Sequence, residues 1–213
     1  MESQYVELVE SRLLPDLDIE SVDPHDPVVV RRVPAPWEFV GAGNYTAVFA
    51  HLEYPDLVTK VYAPGRPGLA DEAEVYRKLG VHPAYSRCFH VGENYLVLLR
   101  LRGVTFYDCL RRGIRIPEQA VAEIEAALAY ARHRGLNPSD VHAKNVMLQD
   151  GRGLVADISD FGEPGSDTKW DDLRRAYYRY YLPTLGRWTV PVPEFLLNLV
   201  RKAYRRFRRF FSS

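Results

Sequence analysis

The chain has 213 residues, 46% of them apolar, with 28 basic and 28 acidic side chains, enough for one substantial core or two small lobes around a cleft. No apolar run approaches the ~20 residues that span a bilayer, and the acidic start MESQYVELVESRLL lacks the basic and apolar regions of a secretory leader. Cys88 and Cys109 are too few and too unpatterned for a disulfide scaffold or a zinc site, and these absences together point to the cytoplasm.

The charge is unevenly placed. Residues 1–27 carry eight acids (Glu2, Glu7, Glu10, Asp16, Asp18, Glu20, Asp23, Asp26) against Arg12 alone. Residues 201–209 carry six bases and no acid. The first end reads as a mobile, solvated acidic leader and the second as a basic tail with a task or a partner. Residues 1–35, rich in Pro and Asp, read as an extended arm, with room for a short helix at its start. Regular alternation begins at WEFVGAGNYTAVFAHLEYPDLVTKVY. Apolar runs on both sides of GAGN predict a hairpin, and a turn at YPD leads to a third strand. APGRPG breaks the sheet. LADEAEVYRKL is a helix of about three turns, stopped by Gly80. RCFHVG and NYLVLLRL are two more strands joined at Glu93-Asn94.

The second half changes character. TFYDCLRRG is a short helix, and IPEQAVAEIEAALAYARHRGL is a long one between Pro117 and Gly135. The polar loop SDVHAKN follows, then a hairpin turning at Asp150-Gly151. TKWDDLRRAYYRYYL and PEFLLNLVRKAYRRFRRFF are helices. A strand-rich half before a helix-rich half predicts an α+β fold of two lobes with a cleft between them. The expected organisation is an acidic arm over 1–35, a five-stranded lobe with one helix over 36–101, a reduced helical lobe over 102–194, and a basic amphipathic helix over 195–213.

Five features along this frame carry chemistry. Gly41 and Gly43, in VGAGNYTAV, allow close backbone approach to a phosphate, although a turn that needs glycine accounts for them about as well. Lys60 shares a strand face with Val58, opposite Leu57, Thr59 and Val61, and a lysine beside a cleft can hold a polyphosphate. Glu72 falls on the apolar side of the next helix with Val75, Tyr76 and Leu79, and so suits a buried lysine better than Asp71 or Glu74. Asp140, His142, Lys144 and Asn145 crowd one loop: an acid to accept a hydroxyl proton, an amide to bind a divalent metal, and cations to neutralise a phosphoryl group. Asp157 and Asp160, in LVADISDFG, are carboxylates near a strand end and suit magnesium.

In this order and spacing the features resemble the protein-kinase-like fold, over about residues 37–175. DVHAKN looks most like the compact atypical kinases: the RIO and KEOPS-associated kinases and the sugar and aminoglycoside phosphotransferases. NPSDVHAKNVMLQDGRGLVADISDF also resembles small Ser/Thr-kinase-like proteins of Gram-positive bacteria. The resemblance implies ATP and Mg2+ as cofactors. Gly41, Gly43 and Val48 would cover the nucleotide, and Lys60, paired with Glu72, would hold its α- and β-phosphates. Segment 98–102, including Leu99 and Leu101, would be the hinge against adenine. Asp140 would orient the acceptor hydroxyl, with His142 nearby. Asn145 and the metal Asp would share magnesium; strand-boundary reasoning favours Asp157, with Asp160 of the literal DFG as the alternative.

The pattern departs from the family in places. Thr46 replaces the third loop glycine, Pro138-Ser139 replaces the His-Arg before the catalytic Asp, and His142 stands where a lysine is usual. No A-P-E signature follows, and the segment before Trp170 is short, leaving little platform for a peptide. Asp172 either props the catalytic loop, as the family's helix-start Asp does, or is a plain helix N-terminal acid.

The last helix places Leu196, Leu199, Val200, Ala203, Phe207, Phe210 and Phe211 on one face and Arg201, Lys202, Arg205, Arg206, Arg208 and Arg209 on the other. Its first two turns are expected to pack as core. Its end is expected to be an interaction surface, for an anionic membrane or an acidic partner, with nucleic acid the weaker candidate. The function expected is transfer of the γ-phosphoryl of Mg-ATP to a hydroxyl, on protein Ser/Thr. The rivals are a small-molecule phosphotransferase and a pseudokinase acting as an interaction module.

Overall fold

The computed structural model of the chain describes residues 2–165, 168–188 and 190–211, with 187, 188 and 205–211 as backbone alone. The chain begins with α1 (Glu2–Leu8), which continues as a π-helical turn over Val9–Leu13. Tyr5, Val9 and Leu13 recur every fourth residue, so they share a helix face, and all three are fully buried. They pack with Trp37, Phe49, Leu57, Val61 and Val97. The eight acids of this region stay exposed, but the segment is no mobile arm, because an apolar stripe anchors it. Strands β1 (Asp18–Glu20) and β2 (Val29–Arg32) follow as an antiparallel ribbon.

Strands β3 (Trp37–Ala42), β4 (Thr46–His51) and β5 (Tyr54–Tyr62) precede helix α2 (Leu69–Leu79), and β6 (Cys88–Val91) and β7 (Tyr95–Leu99) follow it. They form one antiparallel sheet in the order β3-β4-β5-β7-β6. The turn expected at YPD lies instead at Leu52-Glu53. Tyr54 already pairs with His51, and Pro55 is tolerated at the start of a strand. Strand β5 alternates between two cores. Leu57 and Val61 join the cluster under α1, while Val58 and Tyr62 join the one under α2. The sheet is thus covered on both faces, and β5 is buried continuously from Leu57 to Tyr62.

After the sheet come β8 (Val104–Thr105), α3 (Phe106–Arg112), α4 (Glu118–His133), β9 (Val146–Gln149) and β10 (Arg152–Val155). The Thr105 hydroxyl caps α3 by accepting the Asp108 N–H at 3.0 Å. Asp150 (φ 50°) and Gly151 (φ 80°) make the tight turn of the β9–β10 hairpin. A Cβ on Gly153 would stand 2.1 Å from the Ala120 carbonyl oxygen, so only glycine lets β10 lie directly on α4. A 3-10 turn (Ser159–Gly162), α5 (Lys169–Ala176) with a π-helical continuation (Tyr177–Tyr181), α6 (Leu185–Trp188) and α7 (Glu194–Phe211) complete the mixed α+β fold. The short β8, the 3-10 turn and α6 were not among the predicted elements.

Helix α7 corrects another expectation. Phe195 (69%), Leu196 (40%), Leu199 (62%) and Val200 (66%) are exposed, so the apolar stripe of its first two turns is not core. Two polar side-chain contacts tie the helix to the rest of the chain among the described residues. Tyr204 donates to Asp172 Oδ2 at 2.8 Å, and Glu194 lies 3.5 Å from Arg111. The side chains of Arg205, Arg206, Phe207, Arg208, Arg209, Phe210 and Phe211 lie outside the described residues. No described helix is long and apolar enough to cross a membrane.

Candidate active site

Lys60 sits on the central strand β5, on the face that α2 covers, and its ammonium is buried. A buried cation requires an anion. Glu72, one turn into α2 and 1% exposed, supplies it at 2.8 Å. Asp157, just after β10, approaches the same ammonium at 3.5 Å. The Tyr62 hydroxyl, two residues on and so on the same strand face, donates to the other Glu72 oxygen. Burial alone would push the Lys60 pKa down, but the carboxylates of Asp157 and Glu72 outweigh it and hold the lysine above its ordinary range. Burial alone would likewise raise the Asp157 carboxyl; the Lys60 charge and the Ser159 N–H, which donates to Asp157 Oδ1 at 3.2 Å, overcome this and lower it. Asp71 stays exposed, and Glu74 pairs with Arg77 at 2.5 Å. Of the three acids on this helix, the structure brings Glu72 to the lysine.

The loop before β9 holds Asp140 in the left-handed region at φ 53°, a conformation that Asp tolerates better than most residues. Asn145 fixes the loop from within: its side-chain N–H donates to the Asp140 carbonyl at 3.1 Å, and its backbone carbonyl accepts from the Ala156 N–H at 2.8 Å. With its amide nitrogen engaged, Asn145 keeps its amide oxygen as the group suited to a cation. His142 Nε2 lies 3.5 Å from Asp140 Oδ2, while Lys144 turns away, its ammonium 4.8 Å from the Tyr107 ring centre. The structure therefore brings His142, and not Lys144, to the loop acid.

Asp160 belongs to a second layer. Its carbonyl accepts from the Ser139 hydroxyl at 2.5 Å, tying the 3-10 turn to the Asp140 loop. Burial raises its carboxyl, and Asp140, Asp157 and Glu163 push it further, against the opposing charge of Lys169. Asp157 touches Lys60 and Asp160 lines the outer wall. An open depression of about 400 Å³ lies there, bounded by Asn137, Ser139, Asp140, Asp160, Glu163 and Lys169 among others.

Several of the residues expected to roof the nucleotide and to form the hinge are held by hydrogen bonds to their neighbours. The Gly43 N–H donates to the Thr46 carbonyl at 2.9 Å, and its carbonyl accepts from Val28 at 2.8 Å. Gly41 and Gly43 both face open space on the side where a Cβ would stand. Val48 lies in register with Lys60 across the β4–β5 pair. In the segment expected as the hinge, the Leu99 N–H donates to the Arg87 carbonyl, and its own carbonyl accepts from the Ser86 hydroxyl, both at 2.8 Å. Among the described residues, no partner takes the Leu101 N–H.

Asp172 accepts from Tyr204 of α7 and from the Thr168 hydroxyl, so among the described residues it ties down the last helix and makes no bond to the Asp140 loop. Two residues of the site were missed in the sequence. Tyr62 could have been found from its i, i+2 position to Lys60. Lys169, whose ammonium contacts Asp140 Oδ1, carries no local signal.

A Bacillus subtilis (strain 168) protein named "Putative serine/threonine-protein kinase YrzF" is 33% identical to this chain over 178 residues, which cover 81% of the chain and 82% of that protein. No protein-family model matches the chain.

Proposed function

The chain belongs to the same kinase-like family as that Bacillus subtilis protein, and from this premise we propose that it is an atypical protein-kinase-like phosphotransferase, moving the γ-phosphoryl of Mg-ATP to a hydroxyl of protein Ser or Thr. The observation that carries this reading is the buried Lys60 ammonium between Glu72 and Asp157, beside a loop that presents Asp140 and Asn145.

The residues suit the cofactors. A lysine kept cationic by two carboxylates fits a polyphosphate. Magnesium is usually held by one or two carboxylates together with phosphates and water, and Asp157 with Asn145 is a donor set of that kind. Among the described residues no three His, Cys, Asp or Glu side chains form a metal cage, and this chemistry needs none. When bound, ATP supplies the phosphoryl group and Mg2+ offsets the charge on its phosphates.

The protein's part is positioning and charge. Glu72, fixed by Tyr62, holds Lys60 for the α- and β-phosphates. Gly41, Gly43 and Val48 form the roof of the nucleotide site, and Leu99 and Leu101 its hinge, with the Leu101 N–H as the donor for a base edge. Asp140 orients the acceptor hydroxyl and takes its proton, with His142 and Lys169 on its two carboxylate oxygens. Holding these groups in place accounts for most of the rate enhancement in this chemistry.

A second reading, with a small-molecule acceptor, draws on the depression beside Asp140. Its volume of about 400 Å³ falls within the ordinary range for small-ligand sites. The test is transfer of labelled γ-phosphate from Mg-ATP to the chain itself and to a generic protein, comparing wild type with Asp140→Ala. Label that requires Asp140 supports the protein-kinase reading. Mg-dependent nucleotide binding without labelled protein shifts the assignment to a small acceptor. Neither label nor binding overturns the enzyme and leaves a kinase-shaped interaction module.

A further inference from the structure

Helix α7 presents an apolar face that none of the described residues covers. Successive residues turn by 100°, so Phe195, Leu196, Leu199, Val200 and Ala203 share one arc of the helix, and all five are exposed. Four large apolar side chains side by side form a patch of the kind that marks an interaction site. Among the described residues, the side-chain bonds from α7 to the rest of the chain lie off this arc, at Glu194 and Tyr204. Arg201 and Lys202 are exposed outside the arc. The helical backbone then runs on to Phe211 through Arg205, Arg206, Arg208 and Arg209, with no acid after Glu194.

We propose that α7 lies on an anionic membrane surface, with Phe195, Leu196, Leu199 and Val200 entering the interface and the bases meeting lipid phosphates. Charge and shape both favour a bilayer over a protein groove. Beyond Glu194 the helix carries only basic charge beside a continuous apolar row, which are the two attractions that hold an interfacial helix. Juxtamembrane bases add attraction to anionic lipid that decays within a Debye length, so the binding weakens with salt. Among the described residues that line the Asp140 depression, none belongs to α7.

The experiment is co-sedimentation of the full chain with vesicles of about 30% phosphatidylglycerol in phosphatidylcholine, and with vesicles of phosphatidylcholine alone. The chain should pellet with the anionic vesicles and bind at least about tenfold less to the neutral ones. Leu199→Glu with Val200→Glu should abolish binding, and Phe195→Ser should weaken it several-fold. Arg201→Glu with Lys202→Glu should weaken it and flatten its salt dependence. All these positions are exposed, so thermal melts should match wild type. Asp140→Ala should bind like wild type, which separates this proposal from the phosphotransfer reading. A chain that stays in the supernatant, a Leu199/Val200 variant that binds as wild type, or equal binding to neutral vesicles would overturn it. A concentration-dependent dimer without vesicle binding, dissolved by the Leu199/Val200 variant, would also overturn it and assign the face to a second copy of the chain.

Discussion

The Lys169 ammonium rests on the Asp140 carboxylate, from a helix start 29 residues further along the chain. It stands at the loop acid while Lys144, the lysine within that loop, is drawn off to the Tyr107 ring. A cation at this point lowers the cost of bringing a phosphate toward an aspartate.

Replacing Lys169 with Met should therefore lower kcat by about 10- to 100-fold, with nucleotide affinity nearly unchanged. Lys144→Met should alter kcat by less than about threefold, because its charge lies elsewhere. Steady-state kinetics on both variants, with nucleotide binding measured by calorimetry, checks the contrast. Equal effects from the two lysines would contradict it.

Tyr62 shapes the site through Glu72. Its hydroxyl engages one carboxylate oxygen while Lys60 engages the other, so Tyr62→Phe should cost about 1–2 kcal/mol by leaving a buried acceptor short of a donor. Glu72→Ala should cost more, about 2–4 kcal/mol, since Lys60 then keeps only the half-exposed Asp157. Urea denaturation of the two variants gives the order directly, and a larger loss for Tyr62→Phe would be inconsistent with the pair as described.

Much of this frame was legible in the sequence. The alternation along 57–61 placed Lys60 on the face of Val58 and away from Leu57 and Val61, as the two core clusters have it. Helical spacing singled out Glu72 over Asp71 and Glu74. The short helix at the start was allowed for, but its burial was obscured because the Pro- and Asp-rich run after it dominated the composition, although Tyr5, Val9 and Leu13 at four-residue intervals were in view. Lys169 could not be found this way, since its pairing with Asp140 is purely tertiary. The amphipathic pattern of 195–211 was visible too, but periodicity reports that a helix has an apolar face and not whether the chain covers it.

The two aspartates after β10 should respond oppositely to pH. The Asp160 carboxyl is raised, so the folded chain holds that proton more tightly than the unfolded one, and folding loses stability as pH climbs through the ordinary carboxylate range to the raised value. Asp160→Asn should thus raise Tm at neutral pH by about 1–3 °C, with the gain vanishing near pH 3. The Asp157 carboxyl is lowered by Lys60, so its contribution is present above the ordinary range and disappears as pH falls through the depressed value. Asp157→Asn should lower Tm at neutral pH and matter least in acid. Calorimetric melts across this range test both, and parallel profiles would refute the assignment.

The buried leader gives a stability test remote from the site. Tyr5 is fully buried, accepts the Thr59 hydroxyl hydrogen at 3.0 Å and lies edge-on to Tyr54. Tyr5→Ala should destabilise the fold by about 3–5 kcal/mol, whereas Glu2→Ala and Glu7→Ala, on the exposed side, should stay within about 0.5 kcal/mol of wild type. A Tyr5→Ala chain as stable as wild type would return the segment to a solvated arm.

In the proposed phosphotransferase, the Lys60, Glu72 and Asp157 cluster holds the nucleotide and its metal. The most direct measurement is calorimetric titration of ATP with and without Mg2+ into wild type, Lys60→Met, Asp157→Asn and Asp160→Asn. Wild type should bind in a Mg-dependent manner, and Lys60→Met should bind at least about tenfold more weakly. Asp157→Asn should lose the Mg2+ dependence while Asp160→Asn keeps it. Unchanged binding in both Lys60→Met and Asp157→Asn would place the nucleotide elsewhere or nowhere on this chain, and loss of the Mg2+ dependence in Asp160→Asn alone would move the metal to the outer aspartate.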